Sequence, residues 1–148
     1  MTFTDEDVAA LGRRAAELAR NAYAPYSNFH VAAIAVTHAG ESHVGVNMEN
    51  ASYGMTLCAE VGAFTAATVN GDLANVAAIA VIGGRMNGAS LGGSEPVLPC
   101  GRCRQLIFES ASLQGRDIPI FAFSGDLSQV EHTSIYALLP NAFGPAAL

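Results

Sequence analysis

Val76-Ala77-Ala78-Ile79-Ala80-Val81-Ile82, followed at once by Gly83-Gly84, is the longest uninterrupted apolar run in the chain, and the fold turns on how it is read. The run falls far short of the roughly 18 residues that a membrane-spanning helix needs. It shows no two-residue alternation and is cut off by glycine, so it reads as a strand covered on both faces. Such a strand needs helices above and below it, and the sequence supplies them. Upstream, residues 57–70 form a helical stretch closed by Gly71, and residues 31–37 and 42–47 read as a hairpin around His38-Ala39-Gly40-Glu41. Earlier still, Thr4 with Asp7 three residues on is close to a capping box. Val8, Leu11, Ala15, Leu18, Ala19 and Ala22 then recur at helical spacing to about Tyr23, where Ala24-Pro25 ends the helix. Downstream, residues 83–99 hold five glycines and two prolines without periodicity and read as a long loop. A helix over 101–110, a buried strand over 118–123 and a short helix over 134–139 follow. A hairpin and then alternating helices and strands predict an α/β fold, a mixed sheet with helices on both faces, in one domain spanning residues 1–148.

Composition narrows the function. Of 148 residues, 51% are hydrophobic and only 14% charged, against a usual charged share of roughly 25%. A disordered chain is excluded. Seven Lys+Arg and thirteen Asp+Glu cover a surface of about 7,000 Å² thinly, which predicts that part of that surface is buried against other copies of the chain. A net charge of −6 and a pI near 5.0 lack the dense basic face that phosphate backbones require, so no nucleic acid partner is expected. No membrane segment is expected either. The start, Met1-Thr2-Phe3-Thr4-Asp5-Glu6-Asp7, is acidic where a secretory signal is basic and then apolar, which predicts a cytoplasmic protein.

The three cysteines cannot all pair within the chain. Each could be a small buried hydrophobe, but all three fall at predicted helix starts, where free N–H groups and the helix dipole favour thiolate. Cys100 and Cys103 open one helix in Pro99-Cys100-Gly101-Arg102-Cys103-Arg104-Gln105, and Cys58 opens another in Cys58-Ala59-Glu60. Two sulfurs spaced C-x-x-C can turn to one point, and a third from a neighbouring helix would complete three corners of a tetrahedron, the geometry of zinc. No fourth cysteine exists. His30, His38, His43 and His132 lie away from both motifs and read as solvated surface histidines, which leaves the fourth corner to water and makes the site catalytic rather than structural. Glu60 sits in an uncharged helical context, and a buried carboxyl with a raised pKa beside such a site would serve as a proton shuttle.

Cys-Ala-Glu with Pro-Cys-x-x-Cys is a form of the zinc deaminase signature, and the wider sequence resembles one family, the homotetrameric zinc-dependent cytidine deaminases of the cytidine/deoxycytidylate deaminase superfamily. The resemblance runs in order through Tyr23-Ala24-Pro25-Tyr26-Ser27-Asn28-Phe29, Asn47-Met48-Glu49-Asn50-Ala51-Ser52-Tyr53-Gly54, the two cysteine motifs, and Leu138-Leu139-Pro140-Asn141-Ala142-Phe143. It implies a three-layer α/β/α fold with a mixed five-stranded sheet. It further implies one zinc ion per subunit on Cys58, Cys100 and Cys103, with Glu60 as general base and general acid. The substrate would be a small nucleoside, cytidine or 2′-deoxycytidine, deaminated in pyrimidine salvage. By the same resemblance Asn47 and Glu49 would grip the sugar hydroxyls, Phe29 would pack on the pyrimidine face and the Ala59 backbone would read the base edge. Tyr53 and Phe143 would enter the active sites of neighbouring subunits.

The chain departs from the family pattern in two places. Many members carry arginine after the Cys-Ala-Glu glutamate, offsetting thiolate charge, where this chain has Val61; Arg102 and Arg104 are the candidates to replace it. The loop over residues 83–99 looks extended. Its Gly83 to Gly88 spacing matches a phosphate-binding loop, but Ala89-Ser90 stands where Lys-Ser or Lys-Thr is required, so phosphate binding is rejected there. Rival readings are a deaminase of another cytosine-containing small molecule such as blasticidin S, and a structural zinc module in which Glu60 has no role.

Overall fold

The computed structural model describes residues 1–148. In chain order the elements are α1 (Asp5–Ala19), β1 (Phe29–Thr37), β2 (Ser42–Val46), α2 (Ala59–Val69), β3 (Val76–Asn87), β4 (Ser90–Leu91), α3 (Gly101–Gln114), β5 (Pro119–Ser124), β6 (Val130–Ser134) and α4 (Ile135–Leu138). The sheet order is β2-β1-β3-β5-β6, with β4 paired to the far end of β3. β3 runs antiparallel to β1 and parallel to β5, so the sheet is mixed. The apolar run of residues 76–82 is its central strand and is buried throughout.

Side chains of successive strand residues point to opposite faces, and here the two faces build two cores. Ala32, Ile34, Ala78, Ala80, Ile82, Phe121 and Phe123 face α1, against Val8, Ala15 and Ala19. Ala33, Ala35, Ile79, Val81 and Ile120 face the opposite way, against Ala63, Phe64 and Ala67 of α2 and Ile107 and Ala111 of α3. The result is three layers, α/β/α. Small residues let the layers approach closely. A Cβ on Gly45 in β2 would collide with the Ala59 carbonyl and the Ala63 backbone nitrogen of α2.

Helix starts and stops follow local chemistry. Thr4 and Asp7 form a full capping box, and Gly115 closes α3 in the left-handed conformation. α1 stops at Ala19 rather than near Tyr23, because the Arg20, Asn21 and Ala22 N–H groups reach only three residues back and the Tyr23 N–H bonds the Asn47 carbonyl instead. α3 extends to Gln114 rather than Ser110. Residues 83–99 are more ordered than their glycines suggest: β3 continues to Asn87, turns at Gly88 with φ +64°, and returns as β4. β6 has no counterpart in the sequence reading, since Val130, Glu131 and His132 are an exposed edge with little apolar signal. His43, expected at the surface, is 8% exposed and paired with Asp72 at 2.9 Å.

Two outcomes follow. Gly45→Ala forces α2 off the sheet, and urea unfolding should show a loss of roughly 1–3 kcal/mol. The Asp7 carboxyl is held below its ordinary value of 3.8 by the Thr4 hydroxyl and N–H. A depressed folded pKa contributes stability present above the ordinary value and lost as pH falls through the lower one. Thermal melts of Asp7→Asn should therefore lose less stability than the parent between about pH 5 and about pH 3.

Candidate active site

Cys58 is the N-cap residue of α2 and Cys100 the N-cap residue of α3, both in extended backbone geometry and without a side-chain capping bond. Their sulfurs are thus free to point away from the helix ends. Cys103, fully buried, follows in the first turn of α3. The Sγ atoms of Cys58 and Cys100 are 3.9 Å apart, and all three sulfurs lie within 4.8 Å of one another. Zinc–sulfur bonds of about 2.3 Å at tetrahedral angles place sulfurs about 3.8 Å apart, and a disulfide would need about 2.05 Å. The three free thiols fit the metal and not a disulfide, and form a group able to hold a metal ion. No histidine joins them; His43 groups instead with Glu41 and Asp72.

Burial raises the Cys58 and Cys103 thiols, and for Cys103 the facing Glu60 and Cys58 add to the rise. Burial opposes the Cys100 thiolate too, but bonds from the Cys103 backbone N–H, the Cys103 thiol and the Cys58 thiol outweigh it, so Cys100 is lowered. A divalent cation is the largest local charge in such a site and would hold all three as thiolates. Glu60 is 4% exposed, and burial pushes its carboxyl above the usual range against the opposing pull of its own backbone N–H and the Cys103 thiol.

Cys58, Cys100 and Glu60 line one cavity of about 230 Å³, with Cys103 buried behind it. Its polar end is Cys58, Glu60 and Cys100, with Ala59 between them; its walls are Phe29 and Val31 of β1, Asn47, Thr56, Leu57, Val81 of β3, and Val97 and Leu98. The Asn47 amide donates to the Phe29 carbonyl at 2.9 Å and accepts from the Val31 N–H at 2.8 Å. One amide hydrogen and one acceptor position remain for a ligand.

Glu49 is outside the lining. Its carboxylate accepts from the Tyr26 N–H at 2.8 Å, the Ser27 N–H at 3.2 Å and the Ser27 hydroxyl, which together hold it below its ordinary pKa with the hydroxyl contributing most. Tyr53 and Phe143 also stay out of their own chain's cavity. Tyr53 is 76% exposed with its ring edge-on to Tyr26, and Phe143 is 63% exposed while its carbonyl accepts from the Gln105 amide at 2.9 Å. Arg104 spends its guanidinium on the carbonyls of Pro99, at 2.8 Å, and Leu138, at 3.2 Å. Sequence reasoning missed Ser27 and the apolar walls Val81, Val97 and Leu98. The walls carry no signal that separates them from core.

Sulfurs that fit zinc at two helix starts, beside a buried carboxyl in an α/β/α fold, define a zinc-dependent hydrolytic enzyme. Comparison with known proteins narrows the class. Residues 5–114 match the family model described as the cytidine and deoxycytidylate deaminase zinc-binding region, and the chain belongs to that family. It is 37% identical over 139 residues to a cytidine deaminase of Sporosarcina psychrophila, covering 93% of this chain and 91% of that one. Identity to a cytidine deaminase of Mycobacterium tuberculosis is 36% over 140 residues, covering 95% and 92%. The crystal structure of cytidine deaminase from Burkholderia pseudomallei superimposes with a TM-score of 0.76 at 37% identity, covering 95% of this chain and all of that one.

Cys103→Ala should reduce bound zinc, measured by plasma mass spectrometry, from about one per chain to a small fraction of that. Stripping the metal from the parent with a strong chelator should lower its unfolding temperature, because a ligand that binds only the folded state stabilises it.

Proposed function

We propose that this protein catalyses hydrolytic deamination of cytidine and 2′-deoxycytidine to uridine and 2′-deoxyuridine, consuming one water and releasing ammonia, in pyrimidine salvage. The observation that carries the reading is the meeting of Glu60, Cys58 and Cys100 in one small cavity that also holds Asn47 and Phe29. Family membership and the names of the relatives agree with it. The bound zinc, on Cys58, Cys100 and Cys103, would supply Lewis acidity that activates water next to the ring.

The chain's own residues do the rest. Glu60 accepts one proton from water and passes it to ring N3, then accepts the water's second proton and delivers it to the departing amine, ending ionised as it began. Its burial keeps bulk water from competing for those transfers. Phe29 offers a flat apolar surface to the pyrimidine, and the Ala59 backbone, at the first position of α2, faces the base edge. Asn47 and Glu49 meet the sugar hydroxyls. An acidic sugar site and a net charge of −6 disfavour a phosphorylated substrate or a polynucleotide.

Residues 1–148 act as one domain and assemble as a homotetramer in which Tyr53 and Phe143 complete neighbouring sites. Their exposure and the thin cover of charged side chains support that assembly. No helix is long and apolar enough to cross a membrane. Three thiols that must stay reduced to hold metal suit the cytoplasm.

Zinc-loaded Glu60→Gln should lose roughly 10²–10⁴-fold or more in kcat, read by ultraviolet absorbance, with zinc content unchanged. Unchanged turnover would defeat the catalytic reading in favour of a structural zinc module. In a panel of cytidine, deoxycytidine, cytosine, CMP and blasticidin S, the two nucleosides should lead. Strong activity on CMP would contradict the sugar site, and a preference for blasticidin S would reassign the substrate. Dilution to monomers, followed by analytical ultracentrifugation, should abolish activity; a fully active monomer would break the tetramer reading.

A further inference from the structure

Glu49 depends on a loop that the 83–99 segment holds in place. Three of the roughly four lone-pair positions on its carboxylate are taken by the Tyr26 N–H, the Ser27 N–H and the Ser27 hydroxyl. One is left for a sugar hydroxyl. The direction of that free position is set by residues 26–28, a segment without a strand or helix of its own. Asn28 at its end sits at φ +55°, a left-handed conformation that costs a non-glycine residue free energy and needs outside support.

The support comes from β3 beyond Ile82. The Arg85 guanidinium donates to the Ser27 carbonyl at 3.3 Å, the Asn28 amide donates to the Met86 carbonyl at 3.2 Å, and the Met86 N–H donates to the Asn28 carbonyl at 3.4 Å. Arg85 is itself anchored. Its carbonyl accepts from the Gly92 N–H at 2.8 Å, and the Gly92 carbonyl is seated where a Cβ on Gly84 or Gly125 would collide with it. Asp126 and Phe123 then hold the return of the loop through the Gly93 carbonyl, at 3.0 Å, and the Val97 N–H, at 3.2 Å. The same segment continues into Val97, which with Phe29 lines the active-site cavity.

We propose that Arg85 is a positioning residue for sugar recognition: through the Ser27 carbonyl it fixes the loop whose N–H groups and hydroxyl aim Glu49 at the sugar of the nucleoside. This rests on the function proposed above and gives the 83–99 segment a purpose. Without the guanidinium the loop gains freedom, and freezing it on substrate binding costs affinity. The bond orders a group in the bound state and touches no reacting atom, so the cost falls on KM.

The test is steady-state kinetics of the zinc-loaded full chain on cytidine and on 2′,3′-dideoxycytidine, which lacks the 2′- and 3′-hydroxyls proposed to meet Glu49 and keeps only the 5′-hydroxyl. Arg85→Gln should raise KM for cytidine roughly three- to tenfold with kcat within about twofold, and leave kcat/KM for the dideoxynucleoside within the same margin. Arg85→Lys, which keeps a cation and a donor, should recover part of the loss. In a Glu49→Gln background Arg85→Gln should add nothing further. An equal KM rise on both substrates, a fall in kcat, or an additive effect in the Glu49→Gln background would overturn the proposal. So would unchanged kinetics in a folded Arg85→Gln. Failure of the underlying reading looks different: the parent would not deaminate cytidine, or Glu49→Gln alone would leave KM for cytidine unchanged.

Discussion

Three sulfurs must meet within a few ångströms, and they are carried by two separate helices; most of the architecture answers that requirement. β2 and β3 lie parallel to each other with β1 between them, and β5 is the parallel neighbour of β3 on its other side. The connections β2–α2–β3 and β3–α3–β5 therefore cross the sheet in the same direction. Crossovers between parallel strands are right-handed in nearly all proteins, so two of them running the same way deposit their helices on the same face. Each helix follows the carboxyl end of a strand, which brings both N-termini to one edge of the sheet. That edge is where open α/β sheets place their ligands. Cys58, Cys100 and Cys103 meet because the chain's handedness leaves their helices no other face.

The close approach of α2 to the sheet is the second half of the same requirement. Gly45 in β2 and Gly62 in α2 touch backbone to backbone, with no side chain between them. α1, on the other face, contributes stability and no residue to the active-site cavity. The apolar bulk of the molecule is therefore divided by task. One core holds the scaffold, and the other holds the helices that carry the chemistry.

Much of this was legible in the sequence, and the reasons differ from element to element. The run at 76–82 announced a doubly covered strand because burial on both faces erases alternation. The grouping of the three cysteines beside Glu60 was legible because cysteines at two helix starts can turn to one point and an uncharged helical context marks a buried carboxyl. β6 was not, since an exposed edge strand has no core to pattern its residues. β4 was hidden by glycines that read as a long loop and instead permit the contacts of the Gly92 carbonyl with Gly84 and Gly125. Ser27 carries no signal at all until folding brings it across to Glu49, 22 residues away in the chain.

The charge of the metal group has to be balanced although the residue after Glu60 is the uncharged Val61. Three thiolates and a divalent zinc sum to −1, and Val61 offers nothing against it. Arg104 is committed to two carbonyls, one of them on Pro99, immediately before Cys100, so its contribution is to hold the chain in place where α3 begins. The compensation is nearer. Cys58 and Cys100 cap two helices of 11 and 14 residues, and each N-terminus acts as about half a positive charge. Two of them would contribute up to about +1 near the sulfurs against that surplus. A backbone charge of that kind cannot move or exchange with solvent, which is why the placement of α2 and α3 by the sheet is also the placement of the field around the sulfurs and Glu60.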